Sequence, residues 1–356
     1  MTERQPVVSV MMPAYNAEMF IADAVASLKG QTLSAWELVV VDDGSTDNTA
    51  SIMSELLDPR ITLVSQTNAG EAVARNRALD IVRGEFVAFL DADDRFLPDH
   101  LSECVGYLRA HAGDDAVYTD GYHIDADGKR GSRLSSRRRG PFNGDIFEEV
   151  VRASDVFGPP ICVVVRRKLI EEGELRFDPK IVIGPDWDFW VQASQVGRFG
   201  YIDLPTCEYR VHGANITFAA NDRVRRESLA RCREKAVETS RFEECSVEVR
   251  TAVFYDLLIN QLFDRPDEQR RTVRGSEFVA LPRRVQARLL RRMVSQNLAS
   301  GRSNPHAGAW LRMAIARNPF DPKAWALCLL FALGSRFSQV ILQQKTGPTG
   351  QRSAQP

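Results

Sequence analysis

Several polar clusters in the first 220 residues have types and spacings that could do chemistry. The densest is Asp91-Ala92-Asp93-Asp94, which directly follows the apolar run 85–90 (EFVAFL). Three carboxylates this close repel one another unless a cation sits among them. Hard divalent cations take oxygen ligands, and Mg2+ or Mn2+ commonly binds one or two carboxylates together with substrate phosphates. The plainer reading is a solvated turn and cap before the helix that begins near Leu97-Pro98. A second cluster, Asp42-Asp43-Gly44-Ser45-Thr46-Asp47, follows the apolar run 36–41. Ser45 or Asp47 could cap the next helix, while Asp42 could accept hydrogen bonds from a base or a ribose.

Asn68-Ala69-Gly70-Glu71 leads into a helix that carries Arg75. A guanidinium one turn into a helix can pair with a phosphate, or it can be an ordinary surface arginine. Gly184-Pro185-Asp186-Trp187-Asp188 opens another helix. Asp186 there is a common type of cap. Among aromatic neighbours, however, a carboxylate loses hydration and its pKa rises, which suits a general base. His212, in Tyr209-Arg210-Val211-His212, draws interest only from this company, since a lone histidine is more often structural than a ligand.

The elements that must position these groups alternate. Apolar runs at 7–12, 36–41, 61–64 and 85–90 read as buried strands, and 18–29, 50–57 and 71–83 have helical spacing. Strands that alternate with helices indicate parallel βαβ units with right-handed crossovers. In such sheets ligands sit beyond the carboxyl ends of the strands. Pro13–Asn16, Asp42–Asp47 and Asp91–Asp94 all fall at such ends and should converge on one crevice. The middle is less regular: 127–140 reads as a basic loop, 161–165 and 199–204 as strands, and 186–196 as a helix. From about residue 222 the pattern is helical, with apolar stripes in 247–263, 285–299, 307–317 and 323–334 broken at prolines. The spacing therefore predicts two domains, 1–220 and 221–356, with a frayed C-terminal end.

Charge divides at the same place. The 356 residues carry a formal net charge of −1, which gives no sign of a general nucleic-acid binder. Yet residues 221–356 hold 24 Lys and Arg against 13 Asp and Glu, while the first 220 hold 22 against 34. An acidic front can hold a metal; a basic back can face phosphates or an anionic membrane. Arg283, Arg284, Arg288, Arg291 and Arg292 cluster, and 325–337 is apolar. That combination suits a packing extension or homodimer surface on one reading and an anionic-lipid contact on another. The six cysteines show no CxxC or zinc-type spacing. No signal-peptide pattern opens the sequence, and the apolar run 324–333 is too short to span a bilayer. The expectation is a cytoplasmic chain, peripheral at most on the inner face of the cell membrane, with cysteines in its core.

The segments VSVMMPAYNA, LVVVDDGSTDNT, NAGEAVARNRALD, GEFVAFLDADD, FGPPICVVVRRKLIEEGELRFDP, PDWDFWVQASQVG and YRVHGANIT occur in that order. As an ordered set they closely resemble the inverting glycosyltransferases of family 2, over roughly residues 6–219. The resemblance implies a GT-A, Rossmann-like fold: a mostly parallel central sheet flanked by helices, here with an α-helical C-terminal extension. It implies transfer of a sugar from a nucleotide-diphosphate sugar, with uracil or thymine as the base, to a glycan or lipid-linked acceptor in surface polysaccharide or glycoconjugate synthesis. By the same resemblance Pro13, Ala14 and Tyr15 cradle the nucleoside, Asp42 reads the base, and Asn68 and Arg75 line the nucleotide. Asp91 and Asp93 are the two acids of a DxD motif. Asp93, with His212, holds Mn2+ or Mg2+. Asp186 is the catalytic base, and Trp187 and Asp188 contact the acceptor. Pro185 stands where the family usually has Glu, which puts the base's pKa and acceptor contacts in doubt. A sugar nucleotidyltransferase would need a glycine-rich loop in place of Pro13–Asn16, and a dinucleotide oxidoreductase would need GxGxxG there. A non-catalytic sugar- or lipid-binding relative is the alternative of another class, and the intact Asp91, Asp93 and Asp186 argue against it.

Overall fold

The computed structural model describes residues 5–56, 58–213, 215, 220–301 and 304–332. The chain divides into two compact units, Met1–Ala220 and Asn221–Pro356. In the first, β1 (Val8–Ala14), β2 (Trp36–Asp42), β3 (Ile61–Ser65) and β4 (Phe86–Phe89) form a parallel block in the order β3-β2-β1-β4. All seven residues of β2 are buried, as are all four of β4. Strands covered on both faces read as continuous apolar runs rather than alternating ones. Between them, α1 (Ile21–Lys29) buries Ile21, Ala24, Val25 and Leu28, the one-faced stripe its spacing predicts. The short α2 (Thr49–Glu55) follows β2, and α3 (Glu71–Leu79) follows β3.

Beyond β4 the sheet is mixed. Its order continues β4-β8-β6-β9-β5, where β5 is the two-residue strand Arg95–Phe96, with β7 paired to β6. β8 (Val163–Arg166) runs antiparallel to both β4 and β6 (Ala116–Ile124), whereas β9 (Phe199–Arg210) runs parallel to β6. The expected mostly parallel sheet thus describes β1–β4; the second half adds antiparallel neighbours. Two elements differ from the sequence reading for a physical reason. β6 carries Thr119, Asp120 and His123 in its span, which breaks an apolar pattern. Asp120 is fully buried but accepts from Ser135 N–H at 2.9 Å and Ser135 Oγ at 2.7 Å, and pairs with Arg133 Nε at 2.6 Å. Those same partners turn part of the basic stretch 127–140 into β7 (Arg130–Arg133) and a 3-10 turn (Leu134–Arg137) instead of a loop. The remaining helices are α4 (His100–Ala110), which packs on β6 and β9, α6 (Arg167–Glu172), which packs on β8, and α5 (Phe147–Arg152) and α7 (Pro185–Val196), which pack on each other. Five cysteines are buried and Cys328 is half-buried.

The second unit is helical throughout its described residues. Its helices are α8 (Asp222–Val237), α9 (Val247–Gln261), α10 (Pro266–Thr272), α11 (Ser276–Val279), α12 (Arg283–Ser300), α13 (Ala307–Arg317) and α14 (Pro322–Ala332). Pro266 and Pro322 open α10 and α14 at a position where the missing N–H costs nothing. Leu257, Leu258, Leu289, Leu290, Met293 and Trp310 form its core. Among the described residues no helix is long and apolar enough to cross a membrane. The end of the apolar stretch 325–337 and of the stripe 323–334 lies outside the described residues, as does the C-terminal end.

Candidate active site

Three loops at the carboxyl ends of β1, β2 and β3 are tied to one another by backbone and side-chain hydrogen bonds. After β1, Asn16 adopts a left-handed conformation (φ 48°). Its N–H donates to Ser45 Oγ at 3.0 Å, and its Oδ1 accepts from Thr46 N–H at 2.8 Å. Ala17 N–H donates to Thr49 Oγ1 at 2.8 Å. After β2, Asp43 accepts from the N–H groups of Ala69 (2.9 Å) and Gly70 (2.8 Å) and from Gln66 Nε2 (2.8 Å). Gly44 has φ 73°, and a Cβ there would lie 2.8 Å from Asn68 N. The DDGST turn is therefore mainly a brace that sets the height of the Asn68–Gly70 loop.

These loops wall a cavity of about 730 Å³. Of the residues expected at the donor, Pro13, Ala14, Tyr15, Asn68 and Arg75 line it. So do Asp91, Asp93, Asp186 and His212. Asp42 does not: its Oδ1 accepts from Ser45 N–H at 3.1 Å, and its neighbour Asp43 reaches the wall instead. Trp187 and Asp188, expected to contact the acceptor, are not among the residues that line the cavity. Trp187 is 4% exposed, and its indole N–H donates to Val150 O at 2.8 Å. Asp188 is buried, and its Oδ2 accepts from Gln192 Nε2 at 2.9 Å. Successive helix residues point 100° apart, so Asp186 can face the cavity while the next residue turns into the core. Val182, Ile183, Pro159 and Pro160 form the wall near Asp186. Sequence reasoning passed over Glu71, Asp43, Tyr209 and Asn215, all of which line the cavity. For Glu71 the usable signal was its i,i+4 spacing to Arg75.

Arg75 is the electrostatic centre. Its side chain is 2% exposed, with Nη2 at 2.7 Å from Asp91 Oδ1 and 2.6 Å from Glu71 Oε1. Its guanidinium carbon lies 5.3 Å from the centre of the Phe177 ring. Burial alone would lower its pKa, but Asp91, Glu71 and Asp186 more than offset that and raise it, so Arg75 stays charged. Asp186 is raised above the usual carboxylate range by burial, with Arg75 opposing and Asp91 adding to the rise. It sits in the first turn of α7, where Pro185 occupies the first helical position and supplies no second acid.

Glu71 is pushed up to about 7 by burial, with Arg75 opposing and Asp91, Asp186 and Asp93 adding. This has a sign that can be checked. The folded chain holds a proton on Glu71 that the unfolded chain releases near 4.5. Stability from this group is therefore lost as pH rises from about 4.5 to about 7. Glu71→Gln should melt above the parent chain at pH 8, and the gap should close toward pH 4.5. A gap that is constant or inverted across that range would contradict the placement of Glu71 among these carboxylates. Melting curves at several pH values decide it.

At the end of β4, Asp93 Oδ2 lies 2.9 Å from His212 Nε2 and 3.4 Å from Asn215 Nδ2. Burial and Asp91 push the Asp93 carboxyl up, and His212 opposes them. Hydrogen-bonded to each other here, this carboxylate oxygen and imidazole nitrogen are of donor types that suit Mn2+ or Mg2+. Among the described residues no group of three or more His, Cys, Asp or Glu side chains is arranged to hold an ion. The pair alone leaves most of a coordination sphere to water and phosphate, which is how Mg2+ is usually bound. Asp94 is not part of it. It is fully buried, its Oδ1 accepts from Arg210 N–H at 2.8 Å, and its Oδ2 has no partner among the described residues. Burial, with Asp93 and Asp91, holds its carboxyl well above the usual range. In YRVHGANIT, Ala214, Ile216 and Thr217 lie outside the described residues.

Residues 9–173 match the family described as Glycosyl transferase family 2. The chain is 32% identical over 239 residues to a chondroitin synthase of Escherichia coli, covering 64% of this chain and 33% of that protein. It is 30% identical over 223 residues to an uncharacterized glycosyltransferase of Haemophilus influenzae, covering 59% of this chain and 67% of that protein. The chain thus spans about a third of the length of the chondroitin synthase it matches. Among solved structures, S. aureus TarS 1-349 in complex with UDP-GlcNAc superposes with a TM-score of 0.60 at 18% identity, covering 95% of this chain and 92% of that one. That likeness establishes the GT-A fold.

Proposed function

The chain belongs to glycosyl transferase family 2, and from that premise we propose that it moves a glycosyl group from a nucleoside-diphosphate sugar to an acceptor hydroxyl, with inversion. We assign the reaction to residues 1–220. The observation that carries the reading is one cavity lined at once by the Asp93–His212 pair, the Arg75–Asp91 pair and Asp186. A donor and an acceptor need a shared crevice with a cation site at one side and a base at the other. Surface polysaccharide or glycoconjugate synthesis is the setting we infer from the relatives, with a glycan or lipid-linked acceptor.

Each of the chain's own groups has a stated task. Tyr15 is half exposed on the wall and offers a ring face to the base. Arg75 holds Asp91 at 2.7 Å, so that carboxylate keeps a fixed orientation toward the ribose side. Asp93 and His212 would hold Mn2+ or Mg2+, which when bound acts as a Lewis acid that neutralises charge on the diphosphate. Asp186 takes the proton from the attacking hydroxyl. Its raised pKa, set mainly by burial, makes it a stronger base. Attack opposite the diphosphate inverts the anomeric carbon. The apolar walls at Val182, Ile183 and Pro160 limit water, which would otherwise compete as acceptor.

The test is nucleotide affinity with and without metal. Calorimetric titration of UDP and dTDP with Mn2+ and with chelator should show affinity that depends on metal in the parent chain. Asp93→Ala should lose most of that metal-dependent gain, and His212→Ala part of it. Equal affinity with and without chelator in the parent chain would contradict the cation site.

A further inference from the structure

The second unit carries a surface that the transfer reading does not use. Helix α14 buries Ala324 and Leu327 on one side. Its opposite side should then be polar, yet Pro322, Trp325, Ala326 and Leu329 are exposed there at i, i+3, i+4 and i+7 spacing. Trp325 is 52% exposed and Leu329 70%. Phe320, just before the helix, is 92% exposed. The Trp325 indole donates to Pro319 O at 2.8 Å, which holds the ring in one orientation. A surface helix that is apolar on both faces is built for an apolar environment on its outer side.

Cationic groups border this apolar strip. A cleft of about 430 Å³ is lined by Arg284, Arg288, Arg291, Asn318, Phe320 and Lys323, among others. Arg291 pairs with Asp321 at 3.0 Å. Arg284, Arg288 and Lys323 are exposed, and none of them pairs with a carboxylate among the described residues. The sequence from Pro322 to Pro356 contains no Asp or Glu, while Lys323, Arg336, Lys345 and Arg352 fall within it. Protein partners with a mixed-charge surface do not call for such one-sided charge. An apolar strip with an aromatic at its edge, next to unpaired cations, matches the boundary of an anionic bilayer, where apolar side chains enter the acyl region and cations meet phosphates.

We propose that the α14 face, with Phe320, Trp325 and Leu329 as its apolar part and Arg284, Arg288 and Lys323 as its cationic part, docks on a membrane surface rich in anionic lipid. The inference does not depend on the transfer chemistry and can fail separately from it.

The experiment is sedimentation of the full chain with vesicles of phosphatidylcholine alone, or with about 30% phosphatidylglycerol, at low and high salt. Binding should require the anionic lipid and weaken as salt screens the contact. The triple variant Arg284→Glu, Arg288→Glu, Lys323→Glu should lower the partition coefficient by about a hundredfold or more, since each basic group near the surface contributes roughly five- to tenfold. These side chains are exposed, so the variant should melt near the parent temperature, which is measured alongside. Phe320→Ser with Trp325→Ser should weaken binding at both salt concentrations, because that part is not electrostatic. Equal binding to both vesicle types, or to neither, would overturn the proposal. So would self-association of the parent chain in light scattering that Trp325→Glu abolishes, because the occupant would then be a second copy.

Discussion

Asp186→Asn is expected to lower turnover by about 10²-fold or more while the affinity for nucleoside diphosphate changes little. Asparagine has the same shape, and its oxygen can still accept from the first turn of α7. It cannot accept the proton of an attacking hydroxyl. Nothing else need change: Asp186 is on the cavity wall, but the Arg75–Asp91 and Asp93–His212 pairs keep their contacts without it. Its raised pKa also means that the ionised form is disfavoured in the fold. Removing the charge should therefore leave the melting temperature equal or slightly higher at pH 8. Loss of turnover with intact nucleotide binding and intact melting is the expected triple result. Full activity in this variant would remove Asp186 from the mechanism. A parallel loss of nucleotide binding would make it a donor-site residue instead of a base.

Arg75→Met should be strongly destabilising. Methionine keeps most of the volume and the contact with Phe177 but removes a cation that faces Glu71, Asp91 and Asp186 together. Stripping one partner from a buried ion pair costs about 3–5 kcal/mol. Glu71 and Asp91 retain part of their solvent, so about 2–4 kcal/mol is the expected loss after that screening. The loss should shrink in acid, because protonated carboxylates no longer repel one another. Urea melts at pH 8 and pH 5 give both numbers. A loss below about 0.5 kcal/mol at pH 8 would mean that Arg75 is not holding this group of acids together.

The parallel half of the fold was legible because β2 and β4 are buried along their whole length, so 36–41 and 85–90 read as apolar runs broken only by Glu37 and opened by Glu85. That placement also gave away the site: Asp91, Asp93 and the Pro13–Asn16 turn had to meet beyond one sheet edge. β6 was not legible. Its Asp120 is satisfied by Ser135 and Arg133, and its Thr119 accepts from Thr206 Oγ1 at 2.8 Å, contacts that no local pattern announces. The orientations of single residues were equally hidden. Asp42 and Asp43 are adjacent acids after the same strand, and only the loop from Gln66 to Gly70 decides which of them faces the cavity. Trp187 looked like a sugar-stacking ring by type, yet one residue's rotation about α7 puts it in the core. Glu71 reads as a surface residue at a helix start, and only the packing of three loops makes it a cavity group with a pKa near neutrality.

The central claim is that a nucleoside diphosphate seats in this cavity beside a cation held by Asp93. The most direct measurement is the melting temperature of the full chain with UDP, dTDP, GDP and CDP, each with Mn2+ and with chelator. A ligand present at 100 times its dissociation constant adds ~2.7 kcal/mol, a shift that melting resolves easily. The account predicts a rise for one or two of these nucleotides, present with Mn2+ and absent with chelator, and lost in Asp93→Ala. A rise that is the same with chelator, or no rise with any nucleotide, would contradict it.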